Sequence, residues 1–339
     1  MLIPLAIGSA IALAPVPADL PPNAWYYFAL FTTVIAAMIA EPIPGAALGL
    51  IGVILAAVLG LVRPTPAEAT SWALSGFANS TVWLIFAAYM FALGYSETGL
   101  GRRIALHLIR RMGQRTLGLA YAISLADLAI APFTGSATAR TGGTIYPIIR
   151  NIPGLYGSRP DDGTARRIGA YLLYSALAAS MVTSSMFITA LAPNALAISL
   201  IAKTMNVNIP WMTWFMGFAP VGVTLLLTVP LLIYGIYPPE IKHAPEAPRW
   251  AGDQLREMGA VSRRELTLLL LVSVALGLWI AATHVIEPSM VAVLIVVLMV
   301  VLRVLSWDQV IGHAQAWNVL VWFATLVTLA TGLTETKFV

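Results

Sequence analysis

Residues 117–149 read LGLAYAISLADLAIAPFTGSATARTGGTIYPII, two short apolar arms around a small, polar, glycine-rich centre. Basic residues lie on both sides of this segment, so both flanks are expected in the cytoplasm. The centre, 134–143, cannot face lipid, because its backbone groups would lack hydrogen-bond partners there. We therefore predict a helical hairpin over 117–149 that re-enters from the cytoplasm. The alternative is two ordinary spans joined by an external loop, for which the arms are short.

The composition of the whole chain is that of a membrane protein. Of 339 residues, 59% are hydrophobic and only 10% are charged, whereas a soluble domain carries about 25% charged residues. Lipid must cover the excess apolar surface, and we predict an all-α polytopic membrane protein. The candidate spans are 2–16, 24–40, 45–62, 78–99, 168–189, 211–236, 266–284, 288–305 and 315–334.

Three basic stretches set the expected orientation. They cover 101–115, 150–167 and 240–264, and the positive-inside rule places all three in the cytoplasm, with the N-terminus on the same side. Residues 101–113 are expected to form a helix in the cytoplasmic interface, with its apolar face at Ile104, Leu108 and Met112. A plain cytoplasmic loop is the alternative.

Several kinds of chemistry find no support in the sequence. The chain has no cysteine, which excludes disulfides and thiolate sites. Its histidines are far apart and form no metal-binding pair; they are His107, His243, His284 and His313. No nucleophile–base pair is recognisable, so we predict neither an enzyme nor a metal site. The net charge of +4 lies in a few loops, which argues against nucleic-acid binding.

The centre of the hairpin has the residues that an anion site needs. The hydroxyls of Thr134, Ser136 and Thr138 can donate hydrogen bonds, and the free N–H groups that begin the second arm favour negative charge. Arg140 follows, and its planar guanidinium suits a carboxylate. Arg140 could instead snorkel or pair with Asp127, which is either a coupling residue or a structural partner. Broken helices of this kind form substrate sites in secondary transporters.

A second break is predicted at 183–194, TSSMFITALAPN, within a broken helix over 168–206. Because Pro193 removes a backbone donor, the carbonyl groups of Thr189 and Ala190 are expected to coordinate a coupling cation or line a cavity. Pro193 and Asn194 are expected beside the substrate. A simple proline kink is the alternative.

Residues 82–100 and 320–338 align without gaps and share the pattern Ser/Thr-Glu-Thr near their ends. An odd number of crossings separates them, which predicts inverted repeats. The second copy stops at Val339 before any hairpin, so we expect an incomplete second repeat and a truncated chain. The expected segments are 1–70 for scaffold spans, 71–237 for the first repeat, 238–265 for a cytoplasmic loop and 266–339 for the start of the second repeat.

Residues 131–153, APFTGSATARTGGTIYPIIRNIP, resemble the hairpin signature of the divalent anion:sodium symporter family, in particular its bacterial citrate/succinate and tartrate/succinate antiporter branch. Similar stretches lie at 21–31, 41–47, 81–106, 184–194 and 250–265. The resemblance implies a homodimeric inverted-repeat transporter of the bacterial inner membrane. It would exchange di- and tricarboxylates of the citrate, succinate, malate, tartrate or 2-oxoglutarate type by alternating access.

The family's Ser-Asn-Thr motif falls on Ser136, Ala137 and Thr138, so alanine replaces an asparagine that the resemblance implies for substrate and cation binding. The family's cation-site turn falls on 189–191. The fixed charge of Arg140 could replace sodium, which favours exchange, with no cofactor other than a possible sodium ion. The alternatives are a sodium- or proton-coupled transporter of another anion, with Asp127 as the proton carrier, and a non-transporting fragment.

Overall fold

The computed structural model describes residues 2–205, 207–281 and 285–338, which are almost entirely helical. The helices are α1 (Leu2–Leu13), α2 (Pro22–Ala40), α3 (Gly45–Val58), α4 (Pro66–Leu74), α5 (Ser80–Thr98), α6 (Leu100–Met112), α7 (Thr116–Ile130), α8 (Ala137–Arg140), α9 (Tyr146–Ile149), α10 (Ile152–Leu155), α11 (Gly169–Met186), α12 (Ala192–Met205), α13 (Trp211–Ile236), α14 (Glu246–Glu257), α15 (Arg263–Ala281), α16 (Pro288–Val301), α17 (Trp307–Gly312) and α18 (Ala314–Glu335). Short 3-10 turns cover Ser75–Ala78, Ala131–Phe133, Ala165–Arg167 and Ile188–Ala190, and a π-turn over Thr141–Ile145 joins α8 to α9.

Several of these helices have the length and composition of membrane spans. Among the described residues, 5 helices qualify, and α5 with the bent segment before it makes a possible sixth. Helix α13 is the clearest case, because large apolar side chains along it are exposed, including Met216, Leu231, Leu232 and Ile236. Lipid must cover such a surface. The predicted all-α polytopic membrane protein is confirmed.

Three predicted spans are shorter in the structure than their apolar runs. Helices α1, α3 and α16 have 12, 14 and 14 residues, which reach only about 18–21 Å of a hydrocarbon core about 30 Å thick. Pro15 and Pro17 follow α1, and Gly60 and Arg303 have positive φ just after α3 and α16. Proline cannot continue the helical backbone, and the left-handed conformation of Gly60 and Arg303 turns the chain out of the helix. The predicted positions at 282–284, which include His284, and at Asn206 and Val339 lie outside the described residues.

The chain forms two compact units. Unit 1 comprises Met1–Phe86 and His313–Val339, and unit 2 comprises Ala87–Gly312. In unit 1, α18 packs against α2, α3, α4 and the turn Ser75–Ala78. Its core contains Tyr27, whose hydroxyl donates a 2.6 Å hydrogen bond to the carbonyl of Leu329. The N-terminal and C-terminal parts of the chain therefore belong to the same compact unit. The functional segments expected from the sequence, 1–70, 71–237, 238–265 and 266–339, stay a prediction.

Gly76 allows α18 to approach the turn in unit 1. Its N–H donates a 3.0 Å hydrogen bond to Thr328 Oγ1, and an added Cβ would overlap the backbone carbonyl of Ala324. We therefore expect Gly76→Ala to lower stability by about 1–3 kcal/mol, because the backbone of α18 must move. Thermal unfolding in detergent measures this loss. Gly277→Ala is the control, since nothing lies within 4 Å of that site, and an equal loss in both would contradict the explanation.

The ends of α5 and α18 have the same local structure at aligned positions. Thr98 Oγ1 donates a 2.8 Å hydrogen bond to the carbonyl of Gly94, and Thr336 Oγ1 makes the same 2.8 Å bond four residues back. The next residue is left-handed in both, with φ 78° at Gly99 and φ 60° at Lys337. These features support a repeat, and the opposite orientation of the two copies stays a prediction.

In unit 2, α7 packs against α6, α11 and α13. Small buried residues such as Ala120, Ala122 and Ala126 allow neighbouring helices to approach closely. Helix α14 packs along α6, so the segment expected as a cytoplasmic loop, 238–265, contains a docked helix. The sequence prediction missed this element.

Helix α6 is packed between α7 and α14. The predicted helix over 101–113 is confirmed. Its most buried apolar side chains are Ala105, Leu106 and Ile109, which face the neighbouring helices. Ile104, Leu108 and Met112 are half-buried, and their contact with the membrane interface stays a prediction.

His107 lies on the exposed side of α6 among arginines. Partial desolvation and the positive charges of Arg103, Arg110 and Arg111 lower its pKa below the ordinary value. The imidazole is therefore neutral at neutral pH, and the arginines alone carry the positive charge of α6.

The three basic stretches are hydrogen-bonded to one another. The N–H of Ala244 donates a 2.9 Å bond to the carbonyl of Gln114, and the N–H of Ile241 donates a 3.0 Å bond to the carbonyl of Arg167. All three therefore lie on one side of unit 2, as the orientation argument requires. The segment 116–149 leaves from this basic side and returns to it. Two spans joined by an external loop would return in the same way, and Thr116–Phe133 is long and apolar enough to cross a membrane. The re-entrant hairpin therefore stays a prediction.

Candidate functional site

Two helix breaks lie side by side in unit 2. One separates α7 from α8, and the other separates α11 from α12. The N–H of Ala192, the first residue of α12, donates a 3.0 Å hydrogen bond to the carbonyl of Gly135. Thr189 Oγ1 donates a short hydrogen bond to the carbonyl of Pro132. The structure thus joins the two segments in which the sequence predicted a site.

Local sequence explains the first break. Pro132 lies in the 3-10 turn that ends α7, and Thr134 has extended backbone angles, φ −133° and ψ 104°. Ser136 then caps the next helix, because its hydroxyl accepts a 3.2 Å hydrogen bond from the N–H of Ala139. The break therefore ends at Ser136, within the predicted tip of Ser136, Ala137 and Thr138.

The second break has a different cause from the one predicted. Pro193 is the second residue of α12, a position that tolerates proline, so it does not disrupt a preceding turn. The chain leaves the helix earlier, at Phe187 and Leu191, which both have extended backbone angles. The predicted location of the break is confirmed, and its attribution to proline is wrong.

Arg140 is the most highly connected side chain of this region. It is 1% exposed, and Nε donates a 3.0 Å bond to Asp127 Oδ1. Nη1 donates a 3.1 Å bond to Thr134 Oγ1. Nη2 donates bonds of 3.1 and 2.8 Å to Thr183 Oγ1 and Ser184 Oγ. The guanidinium thus ties the second arm of the hairpin to α7 and α11.

These contacts bear on the roles predicted for Arg140, Thr134, Asp127 and Ala190, which stay predictions. Arg140, Thr134 and Asp127 are buried and bonded to one another, so in this structure they do not present free groups to a substrate. The alternative, in which Arg140 pairs with Asp127, is the arrangement found. The carbonyl of Ala190, expected to coordinate a cation, accepts a 3.4 Å bond from Arg140. The guanidinium would repel a cation at that position.

The other residues predicted near the second break are mostly engaged in structural contacts. Asn194 Nδ2 donates bonds of 2.7 and 3.0 Å to the carbonyls of Ser184 and Phe187, at the end of α11. Thr189 Oγ1 also accepts a 3.4 Å bond from Trp211 Nε1. The amide of Asn194 and the hydroxyl of Thr189 therefore hold the break together. Pro193 is exposed and has no polar side-chain group.

The accessible part of the predicted site is the start of the second arm. Ser136 and Ala137 are half-buried, and Thr138 is exposed. Among the described hydrogen bonds, none is donated by the N–H groups of Ala137 and Thr138. The first N–H groups of a helix have no partner within it and favour anions. These groups can bind a carboxylate that approaches the tip.

Sequence reasoning did not identify the residues of α11 that hold Arg140. Thr183 and Ser184 bind its guanidinium directly, and the carbonyl of Ser180 accepts a further 3.4 Å bond from Nη2. The three positions lie on one helical face because they are separated by three and four residues. That spacing of hydroxyl residues was visible in the sequence, but it does not reveal which buried group they face.

The profile of the family described as sodium:sulfate symporter transmembrane region matches residues 1–339. The chain belongs to this family. The L-tartrate/succinate antiporter of Shigella sonnei strain Ss046 is 47% identical over 350 residues, which cover 100% of this chain and 72% of that protein. The L-tartrate/succinate antiporter of Escherichia coli strain K12 is equally similar, at 47% over 350 residues with the same coverage. The citrate/succinate antiporter of that strain is 47% identical over 352 residues, again covering 100% of this chain and 72% of the relative.

Membership of the sodium:sulfate symporter family confirms the resemblance seen in the hairpin motif. It also agrees with the helical architecture, because the matched region is described as transmembrane. The chain is therefore a multi-pass membrane protein of a transporter family. The family match does not assign individual site residues, so their roles are proposals.

Proposed function

We propose that the chain belongs to a secondary active transporter that exchanges di- and tricarboxylates by alternating access. The observation that carries this proposal is the contact between the two helix breaks, where Ala192 donates to the carbonyl of Gly135. Helices α8 and α12 both begin at this contact, so their N-terminal ends offer N–H groups to an anion. The names of the antiporter relatives support carboxylates as the cargo. No enzymatic step is proposed.

The proposed substrate-binding groups are the Ser136 hydroxyl, the Thr138 hydroxyl and the free backbone N–H groups of Ala137 and Thr138. Arg140 is a positioning residue in this proposal, because its bonds to α7 and α11 fix the second arm. Asn194 positions the second break in the same way. This division leaves the charged pair inside the protein and assigns substrate contact to the accessible tip.

Exchange without sodium is the proposed mode of coupling. A cation site needs oxygen atoms that are free to coordinate, but Arg140 already binds Asp127 and the carbonyl of Ala190. The guanidinium, which is paired with Asp127, would repel a sodium ion at these oxygen atoms. Sodium-dependent uptake of a carboxylate by the purified transporter would contradict this mode.

The proposed setting is a bacterial inner membrane, with the N-terminus and the three basic stretches in the cytoplasm. Its support is the mutual hydrogen bonding of those stretches and the bacterial relatives. A homodimer in contact with membrane lipid completes the proposal. Cross-linking in native membranes tests the dimer, and labelling of engineered cysteines in intact cells tests the orientation, since the chain has no cysteine of its own.

Ala137→Asn is expected to strengthen carboxylate binding. An asparagine amide at the tip adds a hydrogen-bond donor where alanine offers none, and one hydrogen bond to a charged group changes affinity about tenfold or more. The measurement is counterflow of labelled succinate and of labelled citrate in proteoliposomes, with the protein from its complete gene, with and without sodium. We expect sodium-independent uptake driven by internal carboxylate and a lower half-saturation concentration for the variant.

The matched control is Ala139→Asn. Ala139 is also half-buried and lies two positions along the same arm, so its side chain points to a different face. An equal gain in both variants would remove residue 137 from the substrate site. Absence of carboxylate counterflow in every version would contradict the proposed function itself.

A further inference from the structure

A cavity of about 400 Å³ lies in unit 2 at the corner where α5 meets α6. Its walls are the end of α5, the start of α6, Met258 after α14, and the returning arm of the hairpin from Gly143 to Asn151. The tip residues Ser136, Ala137 and Thr138 do not line it. The cavity is therefore separate from the substrate site proposed above.

The lining of this corner cavity is basic and rich in hydrogen-bond donors. Arg102 and Arg150 both line it, and none of its lining residues is acidic. Arg102 donates one hydrogen bond to Gln254, and its other guanidinium N–H groups remain available to a ligand. The exposed side chain of Arg150 has no partner among the described residues. Ser96 and Thr144, which carry hydroxyl groups, also line the cavity. Two guanidinium groups with neighbouring hydroxyls suit an anion with two carboxylates.

A second basic groove in unit 2 is less suited to an anion. It lies between α6 and α14, has a volume of about 470 Å³, and is lined by Arg110, Arg249 and Arg256. Asp253 also lines it and forms a 2.8 Å ion pair with Arg256. The carboxylate of Asp253 competes with any bound anion for the same charge. No such competitor lines the corner cavity.

We propose that the corner cavity is a second anion site, which binds a di- or tricarboxylate on the basic side of unit 2. The choice of carboxylates rests on the proposed function, whereas the choice of an anion rests on Arg102 and Arg150. A ligand there contacts α6 and the returning arm together. It also contacts Tyr95, whose ring stacks on Phe133 at the hairpin turn with a centroid distance of 6.1 Å. Occupancy therefore stabilises the packing of the hairpin against this corner.

Two adjacent glycines provide a matched pair of variants. Gly142 and Gly143 are both exposed in the π-turn, and an added Cβ would meet nothing within 4 Å at either position. Only Gly143 lines the cavity. Gly143→Leu is therefore expected to fill the cavity without disturbing the fold, and Gly142→Leu is the control. The double variant Arg102→Gln/Arg150→Gln removes the charge by an independent route.

The experiment is equilibrium dialysis of labelled citrate and succinate against the purified transporter in detergent. We expect two anions per chain for the unchanged protein and for Gly142→Leu, and one for Gly143→Leu and for the double arginine variant. A single arginine replacement is expected to weaken the second site about tenfold or more. Thermal unfolding of each variant checks that the fold is retained.

The outcomes separate this proposal from the proposed function. The tip is tested with the double variant Ser136→Ala/Thr138→Ala. One anion that is lost in Gly143→Leu but retained in this tip variant supports the cavity and contradicts the tip site. One anion that is lost only in the tip variant overturns the cavity site. Unchanged binding in both the glycine and the arginine variants also overturns it, and displacement of citrate by an equal concentration of inorganic phosphate overturns the carboxylate class.

Discussion

Asp127→Asn and Arg140→Gln are each expected to destabilise the protein by about 3–5 kcal/mol, because each leaves a buried charge without its partner. The side chains of Arg140 and Asp127 are 0% and 1% exposed and lie 3.0 Å apart. Removal of both charges should cost less than the sum of the single losses, since no unpaired charge remains. A double-mutant cycle of thermal unfolding in detergent measures the difference.

Arg140→Lys is the control that keeps the positive charge of residue 140 but removes its planar set of hydrogen-bond donors. Lysine keeps the positive charge but cannot bind Asp127, Thr134, Thr183 and Ser184 through a planar fork, so we expect most of the loss to remain. Transport should fall to a similar extent in Asp127→Asn and in Arg140→Gln, because either change breaks the same buried pair. If Asp127 carried a coupling proton, transport would collapse in Asp127→Asn and survive in Arg140→Gln, and that pattern would contradict the structural pair.

Helices α2, α13, α15 and α18 were predictable as spans because their signals are local. Helix α13 was expected over 211–236 and is Trp211–Ile236, since an apolar run and its flanking residues determine a span directly. Helix α14 was missed because its charges suggested a loop. Its buried residues Ala247, Ala251 and Leu255 recur every four positions, which is the helical pattern that the sequence did contain.

The location of the candidate site in the sequence was predictable, but the hydrogen-bond partners of its residues were not. Small and polar residues located both helix breaks, because such segments cannot face lipid. The partner of Arg140 could not be chosen from sequence, since snorkelling, substrate binding and pairing with Asp127 all satisfy its charge. The position of α11 decides between them, because Thr183 and Ser184 complete a buried polar shell. That arrangement is a property of tertiary packing and not of any local pattern.

Arg103 and Glu265 form a second deeply buried ion pair among the described residues, between α6 and the start of α15. Arg103 Nε donates a 2.6 Å bond to Glu265 Oε1, and the side chains are 9% and 3% exposed. Arg103 Nη1 also donates a 3.0 Å bond to the carbonyl of Gly259. Ser262 and Glu265 form a capping box, in which each side chain accepts the other's backbone N–H at 3.2 and 2.7 Å. The sequence Ser-Arg-Arg-Glu signals that cap but does not identify Arg103.

Arg103→Gln and Glu265→Gln are each expected to lower stability by about 3–5 kcal/mol, for the same reason as in the first pair. Loss of the bond to Gly259 should also free the segment after α14, so we expect faster proteolysis between 258 and 262. The control is Arg256→Gln, which breaks an exposed pair whose side chains are 83% and 61% exposed and should change little. Equal effects on thermal unfolding in all three variants would show that burial does not decide the strength of these pairs. A large loss confined to Arg103 and Glu265 would show that a buried charge holds the basic side of unit 2 together.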